Sequence, residues 1–378
     1  MKVYLVRAYF VGLVLVLSVA VTVVLLCWRV LGGERYAETI SQRVRSEPRR
    51  EIDTFTSSKG KTILVTGGAG FLGSHLVDHL MEAGHQVIVA DNFFTGHKGN
   101  LQQWLNHPRF SLIEHDITKP LELQEVDEIY HLACPASPPV YMANPVFTIT
   151  TNTVGTLNML ELAKKTGAKI LLASTSEIYG DPQVVPQTEE YWGHVNPVGS
   201  RASYDVGKRA AEAMFTSYHR QFNLPIRIAR ISNSYGPRLP KDGGGVVGSF
   251  IKQGLTNKPI YVYGDGNQTR CLQHVSDAVK GIVKLMESDY TQPVNIAGTE
   301  RFTIMELAQI IKSLIESNSE VVKKEPRQDD PRLRQPDITR AKTILNWEPR
   351  IPLKEGIKPT IEYFRQQLRN NKVDTAIS

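Results

Sequence analysis

Short, mostly apolar runs alternate with helix-compatible segments through the middle of the chain. Runs that lack the alternation of a half-exposed strand are typical of parallel strands buried on both faces. They fall at residues 63–65, 87–90, 110–113, 127–133 and 169–173. Helical patterns lie between them, notably over residues 152–166. Strands that alternate with helices predict an α/β fold, with a doubly wound, Rossmann-type parallel sheet over residues 61–235.

The pattern becomes mixed from about Gly236 onward. The elements predicted there include a short strand at 260–263 and helices at 303–316 and 353–367. We therefore predict a smaller, mixed α/β lobe over residues 236–365 that binds the substrate. Its sheet and helices are expected to interleave partly with the first domain, and residues 366–378 are expected to form a tail.

The N-terminal segment has a different composition. Residues 8–28 carry no charge and are about long enough to cross a bilayer core, and Tyr9 and Trp28 suit its two interfaces. We predict a single transmembrane helix at 8–28, after a tail at 1–7 and before a polar stem at 29–60. A cleaved signal peptide is the alternative, but the residues after the run fit a cleavage site poorly. Basic residues flank both ends, so charge alone leaves the orientation open.

Charge and cysteine content argue against several functions. The net charge is +6, but much of the basic excess lies in the N-terminal segment and no aromatic–basic platform follows it. We therefore expect no nucleic-acid partner. Cys27, Cys134 and Cys271 are too few and too dispersed for a disulfide framework or a zinc site. We expect unpaired thiols and no metal.

A glycine turn follows the first predicted strand. Gly67, Gly70 and Gly73 lie in the stretch TGGAGFLG, between a strand and a helix. Glycine lets the backbone approach a pyrophosphate, and the helix N-terminus offers free N–H groups. The spacing alone is a weak signal, because a glycine turn in an unrelated sheet has the same pattern. Asp91, at the end of the second strand, can accept from the adenosine ribose hydroxyls, which favours NAD over NADP.

A tyrosine and a lysine provide the candidate chemistry. The fifth strand leads into STSEIYG at residues 174–180, and Tyr204 and Lys208 follow in a helical pattern. Their spacing puts them on one helix face. A nearby ammonium and a nicotinamide cation can let the tyrosine ionise near neutral pH. Its phenolate can then take a proton from a sugar hydroxyl while hydride passes to NAD. An ordinary surface pair is the alternative, which the preceding motifs weaken.

Several longer stretches carry a specific resemblance. They read TGGAGFLGSHLVDHL, ADNFFTG, HLACPASPP, NTVGTLNMLELAKK, LLASTSEIYGDP, YWGHVNPVG, YGDGNQTR and DDPRLRQPDITRAK. From about Lys61 to Arg365 the chain resembles the UDP-glucuronic acid decarboxylases, also called UDP-xylose synthases, of the extended short-chain dehydrogenase/reductase family. The resemblance implies C4 oxidation of UDP-glucuronate by NAD, loss of CO2 from the β-keto acid, and re-reduction to UDP-xylose.

The resemblance also implies the roles of individual residues. Tyr204 is the base, and Lys208 holds the nicotinamide ribose. Ser176 hydrogen-bonds near the C4 oxygen, Glu177 assists around C5, and Arg334 addresses the substrate carboxylate. The predicted cofactor-binding residues are Gly67, Gly70, Phe71, Leu72, Gly73, Asp91, Asn92, Phe94, Thr95, Gly96, Asp116, Ile117, Leu132, Tyr204 and Lys208. The predicted substrate-binding residues are Asn158, Asn233, Tyr263, Gln268, Arg270 and Arg334. For Asp116, a surface or capping role is an equal alternative to contact with adenine.

Two positions depart from the family pattern near the expected ligand. Thr150 stands where relatives usually have Lys, and Gly245 stands where they have Arg. Each change removes a cation, and loss of a buried charge-assisted contact costs about 1.5–3 kcal/mol. These departures bear on substrate affinity and identity, and they leave the predicted catalytic residues untouched.

Other functions remain open at this point. A nucleotide-sugar 4-epimerase or 4,6-dehydratase is one alternative, although dehydratases carry Asp-Glu where this chain has Ser176-Glu177. A non-catalytic relative that binds a nucleotide sugar is another. The resemblance further implies a type II Golgi membrane protein with a luminal catalytic domain. It also implies a homodimer, for which residues 154–165 and 210–221 are candidate faces.

Overall fold

The computed structural model describes residues 60–240 and 244–377, with side chains as far as residue 370. The predicted N-terminal tail, the predicted membrane anchor and all but the last residue of the predicted stem lie outside the described residues. Within the described part of the chain, every helix is too short or too polar to span a bilayer.

The strands and helices follow the predicted alternation. In chain order the strands are β1 (Thr62–Thr66), β2 (Gln86–Asp91), β3 (Phe110–Glu114), β4 (Glu128–His131), β5 (Lys169–Thr175), β6 (Ile226–Ile231), β7 (Ser234–Tyr235), β8 (Ile260–Tyr263), β9 (Thr269–Cys271), β10 (Gln273–His274), β11 (Val294–Ile296), β12 (Arg301–Thr303) and β13 (Val321–Lys324). The α-helices are α1 (Phe71–Glu82), α2 (Pro138–Ala143), α3 (Pro145–Thr150), α4 (Thr156–Thr166), α5 (Ala202–Phe222), α6 (Gly245–Leu255), α7 (Val275–Glu287), α8 (Ile304–Ile315), α9 (Thr339–Leu345) and α10 (Leu353–Ile377). Short 3₁₀ turns at Lys98–Leu101 and Ser176–Tyr179 and a π turn at Thr151–Gly155 complete the list.

The predicted parallel sheet is confirmed. Seven strands hydrogen-bond in the order β11-β6-β5-β4-β1-β2-β3, and every neighbouring pair is parallel. The seventh strand, β11, comes from the segment predicted as the substrate lobe, so the two parts of the chain interleave. The last helix runs past its predicted end at residue 367, to Ile377.

The core explains why the strands of the large sheet are mostly apolar. Along β1, Ile63 and Val65 pack into one cluster while Leu64 packs into another, on the opposite face of the sheet. A third cluster fills the lobe, where α8 packs on α6 through residues such as Leu307 and Phe250. A sheet covered on both faces has no solvent side, so its strands show no polar alternation.

The sheet brings several chain segments to one edge. The parallel strands β1, β2 and β5 end at Thr66, Asp91 and Thr175, and their carboxyl ends face the lobe. Ligands of open α/β sheets bind beyond such ends. The candidate site is therefore expected between this edge and the lobe.

Candidate active site

One cavity of about 510 Å³ lies beyond the carboxyl ends of the central strands. Residues of the sheet edge, including Gly67 and Asp91, form one part of its wall. Residues of the lobe, including Tyr263 and Arg270, form another. The cavity thus joins the two predicted binding regions into a single site.

The glycine turn tolerates no side chain at two of its positions. Gly67 has φ +71°, and a Cβ there would lie 2.8 Å from the Ala133 amide nitrogen. A Cβ at Gly73 would lie 2.1 Å from the Gly67 carbonyl oxygen. Gly70 is the N-cap residue of α1 and offers no side chain to cap the helix. This leaves a close backbone cradle at a helix N-terminus, which suits a pyrophosphate.

Asp91 is fixed at the next strand end. Its Oδ2 accepts from the Ala69 amide at 2.9 Å and its Oδ1 from the Phe93 amide at 2.8 Å. Burial raises the pKa of this carboxyl, and the two backbone hydrogen bonds act against that rise. Each oxygen keeps acceptor capacity towards the cavity that it lines. The cradle and this carboxylate fit the adenosine and pyrophosphate parts of NAD.

The cavity brings together nearly all of the predicted cofactor-binding residues. Its wall includes Gly67, Gly70, Phe71, Leu72, Gly73, Asp91, Asn92, Phe94, Thr95, Asp116, Ile117, Leu132, Tyr204 and Lys208. Gly96 lies behind that wall, where an added Cβ would approach Ala69 and the Asp91 carboxylate at 3.0 Å. Its small size therefore accommodates Asp91, and direct contact of Gly96 with a cofactor stays a prediction.

Tyr204 and Lys208 lie on the buried face of α5, as their spacing predicts. The Lys208 ammonium donates to the Ala173 carbonyl at 2.9 Å and lies 5.9 Å from the centroid of the Tyr204 ring. Burial raises the pKa of Tyr204 well above its ordinary value, with Cys134 and Glu177 acting in the same direction. The lowering of the Tyr204 pKa that the sequence analysis expects therefore does not come from the chain alone. The positive nicotinamide ring that the prediction also invoked would have to supply it.

Two further side chains position Tyr204, and the sequence analysis missed both. The Tyr141 ring stacks on the Tyr204 ring, with centroids 4.8 Å apart and planes 2° from parallel. The Thr175 hydroxyl hydrogen-bonds the Tyr204 phenol. Thr175 was visible as part of the strand-end Ser/Thr cluster, whereas no motif indicated Tyr141.

The two residues of the predicted Ser-Glu pair, Ser176 and Glu177, take different positions relative to the cavity. The Thr175 side chain accepts from the Glu177 amide at 3.1 Å and so begins the 3₁₀ turn. Glu177 lines the cavity, as does Thr175. Ser176 is not part of this wall, is 1% exposed, and its hydroxyl has no hydrogen-bond partner among the described residues. The role predicted for Ser176 at the C4 oxygen stays a prediction.

Arginines surround the Glu177 carboxylate. Arg334 Nη1 lies 3.3 Å from Glu177 Oε1 and 3.2 Å from Asn233 Oδ1. Arg201, which the sequence analysis missed, donates to Glu177 Oε2. Burial alone would raise the pKa of Glu177, but Arg201 and Arg334 outweigh it and lower the pKa to about 2. Glu177 is therefore an ionised carboxylate at the cavity wall.

Arg334 retains donors that the protein does not use. It is 3% exposed and lines the cavity. Within the described part of the chain, neither its Nε nor its Nη2 has a hydrogen-bond partner. A buried guanidinium with two unmatched donors fits an incoming carboxylate, which can accept both bonds.

The predicted substrate-binding residues mostly lie on the lobe side of the cavity. Asn233, Tyr263, Gln268, Arg270 and Arg334 line it. Arg270 donates to Asp330 at 2.8 Å and to two main-chain carbonyls, which leaves few of its protons for a diphosphate. Asn158 does not reach the cavity wall, and its amide donates to the Ile117 carbonyl at 2.8 Å. Arg327, missed by the sequence analysis, stacks 3.9 Å from the Tyr263 ring and also lines the cavity.

The two departures from the family pattern differ in position. Gly245 lines the cavity with φ +65°, and an added Cβ would meet nothing within 4 Å. Thr150 ends α3 and is not part of the cavity wall. Only the change at Gly245 therefore alters the surface that faces a ligand.

The fold and the site define a class: a nucleotide-binding short-chain dehydrogenase/reductase with a second, substrate-facing lobe. The family described as GDP-mannose 4,6 dehydratase matches residues 64–360. UDP-glucuronic acid decarboxylase 1 of Danio rerio is 56% identical over 317 residues, which cover 84% of this chain and 76% of that protein. UDP-glucuronic acid decarboxylase 6 of Arabidopsis thaliana is 57% identical over 307 residues, 81% of this chain and 89% of the relative. The chain belongs to this extended short-chain dehydrogenase/reductase family and groups with its UDP-glucuronic acid decarboxylases.

Solved structures agree with this assignment of the fold. UDP-glucose 4-epimerase from Thermotoga maritima, with UDP-glucose, has a TM-score of 0.76 and 34% identity, and covers 81% of this chain and 99% of its own. UDP-glucuronic acid 4-epimerase from Bacillus cereus, in complex with UDP-glucuronic acid and NAD, has a TM-score of 0.74 and 29% identity with the same coverage.

Proposed function

We propose that this chain is an NAD-dependent decarboxylase that converts UDP-glucuronate to UDP-xylose and CO2. The observation that carries the proposal is the Arg334 guanidinium, buried at the cavity wall with two unmatched donors. The carboxylate of an incoming uronic acid can accept hydrogen bonds from both donors. The decarboxylase names of relatives at 56% and 57% identity support the same reading.

The cofactor end of the site orients the sugar for proton transfer at O4. The glycine cradle and Asp91 would hold NAD, which when bound accepts a hydride from C4 and later returns it. Tyr204 takes the proton of the C4 hydroxyl in the first half of the reaction and gives it back in the second. Tyr141 and Thr175 fix the phenol for this transfer, and Lys208, held by the Ala173 carbonyl, stabilises the charged form of the ring.

The lobe end of the site acts on the carboxylate. With a carbonyl at C4, the sugar is a β-keto acid, and the electrons of the breaking C5–carboxyl bond pass into that carbonyl. Arg334 binds and orients the carboxylate until CO2 leaves. Glu177, ionised and held by Arg201, assists around C5 during the loss of CO2 and the reprotonation that follows.

Product analysis tests this function. The full-length protein in detergent is incubated with UDP-glucuronate and NAD, and products are separated and weighed by mass spectrometry. We expect UDP-xylose together with released CO2. A product with the mass of the substrate and no CO2 indicates a 4-epimerase and contradicts the proposal. Bound NAD without any turnover favours a non-catalytic relative.

We further propose that residues 8–28 anchor the protein in the Golgi membrane as a single-pass type II protein with a luminal catalytic domain. The uncharged run of membrane-spanning length supports the anchor, and the family resemblance supports the compartment. Protease protection of the C-terminal part in sealed Golgi vesicles tests both. Digestion of that part in intact vesicles would place it on the cytosolic side instead.

We also propose a homodimer. Val146, Ile149, Val154, Leu157 and Phe222 are apolar and exposed, and they lie on or beside the helices that contain the predicted faces. Such surface is covered when two copies pair their helices. Light scattering measures the mass, and Leu157→Asp is expected to shift it towards the monomer. A monomeric parent protein would rule the dimer out.

A further inference from the structure

Two carboxyl groups lie buried together beside Tyr204. Asp205 belongs to the first turn of α5 and is 7% exposed. Its side chain faces that of Glu177, close enough for a hydrogen bond between the two. Ionised carboxylates only accept hydrogen bonds. The contact is therefore attractive only when one of the two groups carries a proton.

The neighbouring cations favour ionisation of Glu177. The Glu177 carboxylate accepts hydrogen bonds from Arg201, from Arg334 at 3.3 Å and from the Tyr141 hydroxyl at 3.4 Å. The one ion pair of Asp205 within the described part of the chain is with the Arg201 Nε, at 3.9 Å, which is beyond hydrogen-bond reach. Its Oδ1 has no hydrogen-bond partner among the described residues. A shared proton therefore belongs on Asp205.

The charged and titratable groups that face Asp205 come from several elements. Tyr204 and Arg201 come from α5 and the residue before it, Glu177 from the 3₁₀ turn, Arg334 from the loop before α9, and Tyr141 from α2. Burial and then Glu177 raise the pKa of Asp205 to about 8, against the opposing effects of Arg201 and Arg334.

Arg201 cannot neutralise both carboxyl groups. It also lies 3.9 Å from Asp330, the acid that pairs with Arg270 at 2.8 Å. Its short contact goes to Glu177. Three arginines, Arg201, Arg270 and Arg334, thus face three acids, Glu177, Asp330 and Asp205. Of these acids, Asp205 has the weakest contact with an arginine.

We propose that Asp205 is a positioning residue, protonated in the working enzyme, that donates a hydrogen bond to Glu177. This inference rests on the proposed decarboxylase function. The donated bond holds Glu177 in place. The neutral Asp205 also spares Tyr204 a second anionic neighbour, which would oppose formation of the phenolate.

Substitution of Asp205 distinguishes a neutral donor from an ionised partner of Arg201. Asp205→Asn keeps a neutral donor, whereas Asp205→Ala removes it. At pH 7 we expect the kcat/KM of the Asn variant to be roughly tenfold or more above that of the Ala variant, because only the Ala variant loses a hydrogen bond to a charged group. The wild-type activity is expected to fall above about pH 8 as Asp205 ionises, and the Asn variant to lack this fall. The exposed Asp289, changed to Asn, is the matched control and should leave the pH profile unaltered.

A second measurement needs no turnover and so separates failure of this inference from failure of the proposed function. Infrared spectra of the full-length protein at pH 6.5 should show the C=O stretch of a protonated carboxyl group, and this band should disappear in Asp205→Asn. If Asp205→Asn does not fold, Glu177→Gln provides the same check. Removal of the Glu177 charge lets Asp205 ionise, and the band is lost. The inference is overturned if the wild type lacks the band, or if the Asn and Ala variants lose activity equally with the alkaline limb unmoved.

Discussion

The two walls of the cavity are built in different ways. On the sheet side, backbone atoms and glycines form the cradle, and Asp91 is held by two main-chain amides. On the lobe side, side chains from distant parts of the chain hold one another, as Arg334 and Glu177 do across 157 positions. A wall made of backbone fails when a side chain is added, whereas a wall made of side chains fails when one is removed. The following variants test this contrast.

Tyr204→Phe is expected to have the largest effect, because both walls converge on the phenol. Loss of general acid–base catalysis lowers kcat by about 10²–10⁴-fold. The ring and its stack on Tyr141 remain, so NAD affinity measured by calorimetry should stay close to that of the wild type. Tyr218→Phe, near the far end of the same helix and bonded to Glu161, is the control. Undiminished product formation by Tyr204→Phe would remove the phenol from the mechanism.

Arg334→Ala tests the wall made of side chains. Loss of a charge-assisted contact costs about 2–3 kcal/mol, or roughly 30- to 150-fold in kcat/KM for UDP-glucuronate. Binding of UDP-xylose, which has no carboxylate, should change little in a calorimetric titration. Arg332→Ala is the matched control, since that side chain is 80% exposed and pairs with Asp181. Equal losses for the two nucleotide sugars would show that Arg334 serves the fold and not the carboxylate.

The sheet side could be predicted from the sequence because its causes are local. Gly67, Gly70 and Gly73 lie within one turn, and the neighbouring strand is marked by its apolar run and ends at Asp91. Five strands of the sheet were predicted from their apolar runs, since packing on both faces favours apolar residues. Two sheet strands needed the structure: Arg227 and Arg230 interrupt the apolar run of β6, and β11 comes from the other part of the chain.

The lobe side could not be predicted in the same way. Arg201, Tyr141 and Asp205 have no distinctive neighbours in sequence, and their roles depend on where α2, α5 and the 3₁₀ turn meet. Arg334 was predicted through the family resemblance alone, because its position next to Arg332 gives no reason to choose between them. The pKa of Tyr204 was also beyond sequence reasoning, since it depends on burial and on Glu177.

Gly73→Ala tests the wall made of backbone. The added Cβ would meet the Gly67 carbonyl oxygen at 2.1 Å and the Gly68 Cα at 2.8 Å, and neither can rotate away. Such overpacking costs about 1–3 kcal/mol, and the displaced cradle should weaken NAD binding. Thermal unfolding and NAD titration measure the two effects. Gly99→Ala has nothing within 4 Å of the new Cβ and should change neither. Unaltered NAD affinity in Gly73→Ala would mean that the cradle is more pliable than its contacts indicate.

The last test concerns stability and not activity: at His131, at the end of β4, the sheet side keeps a buried group neutral. The ring contacts the Thr66 hydroxyl at 2.9 Å and the Thr156 hydroxyl at 3.2 Å. Burial, followed by repulsion from Lys208, lowers its pKa from 6.5 to about 3. Between these values the unfolded chain binds a proton that the folded protein does not. The free energy of unfolding should therefore fall as pH drops below about 6.5, with a one-proton slope of about 1.4 kcal/mol per pH unit. Denaturant titrations of wild type and His131→Asn should diverge over this window, while the exposed His97→Asn follows the wild type. Parallel curves for wild type and His131→Asn would show that the folded protein binds this proton as readily as the unfolded chain does. The sheet side would then tolerate a buried charge, as the lobe side does.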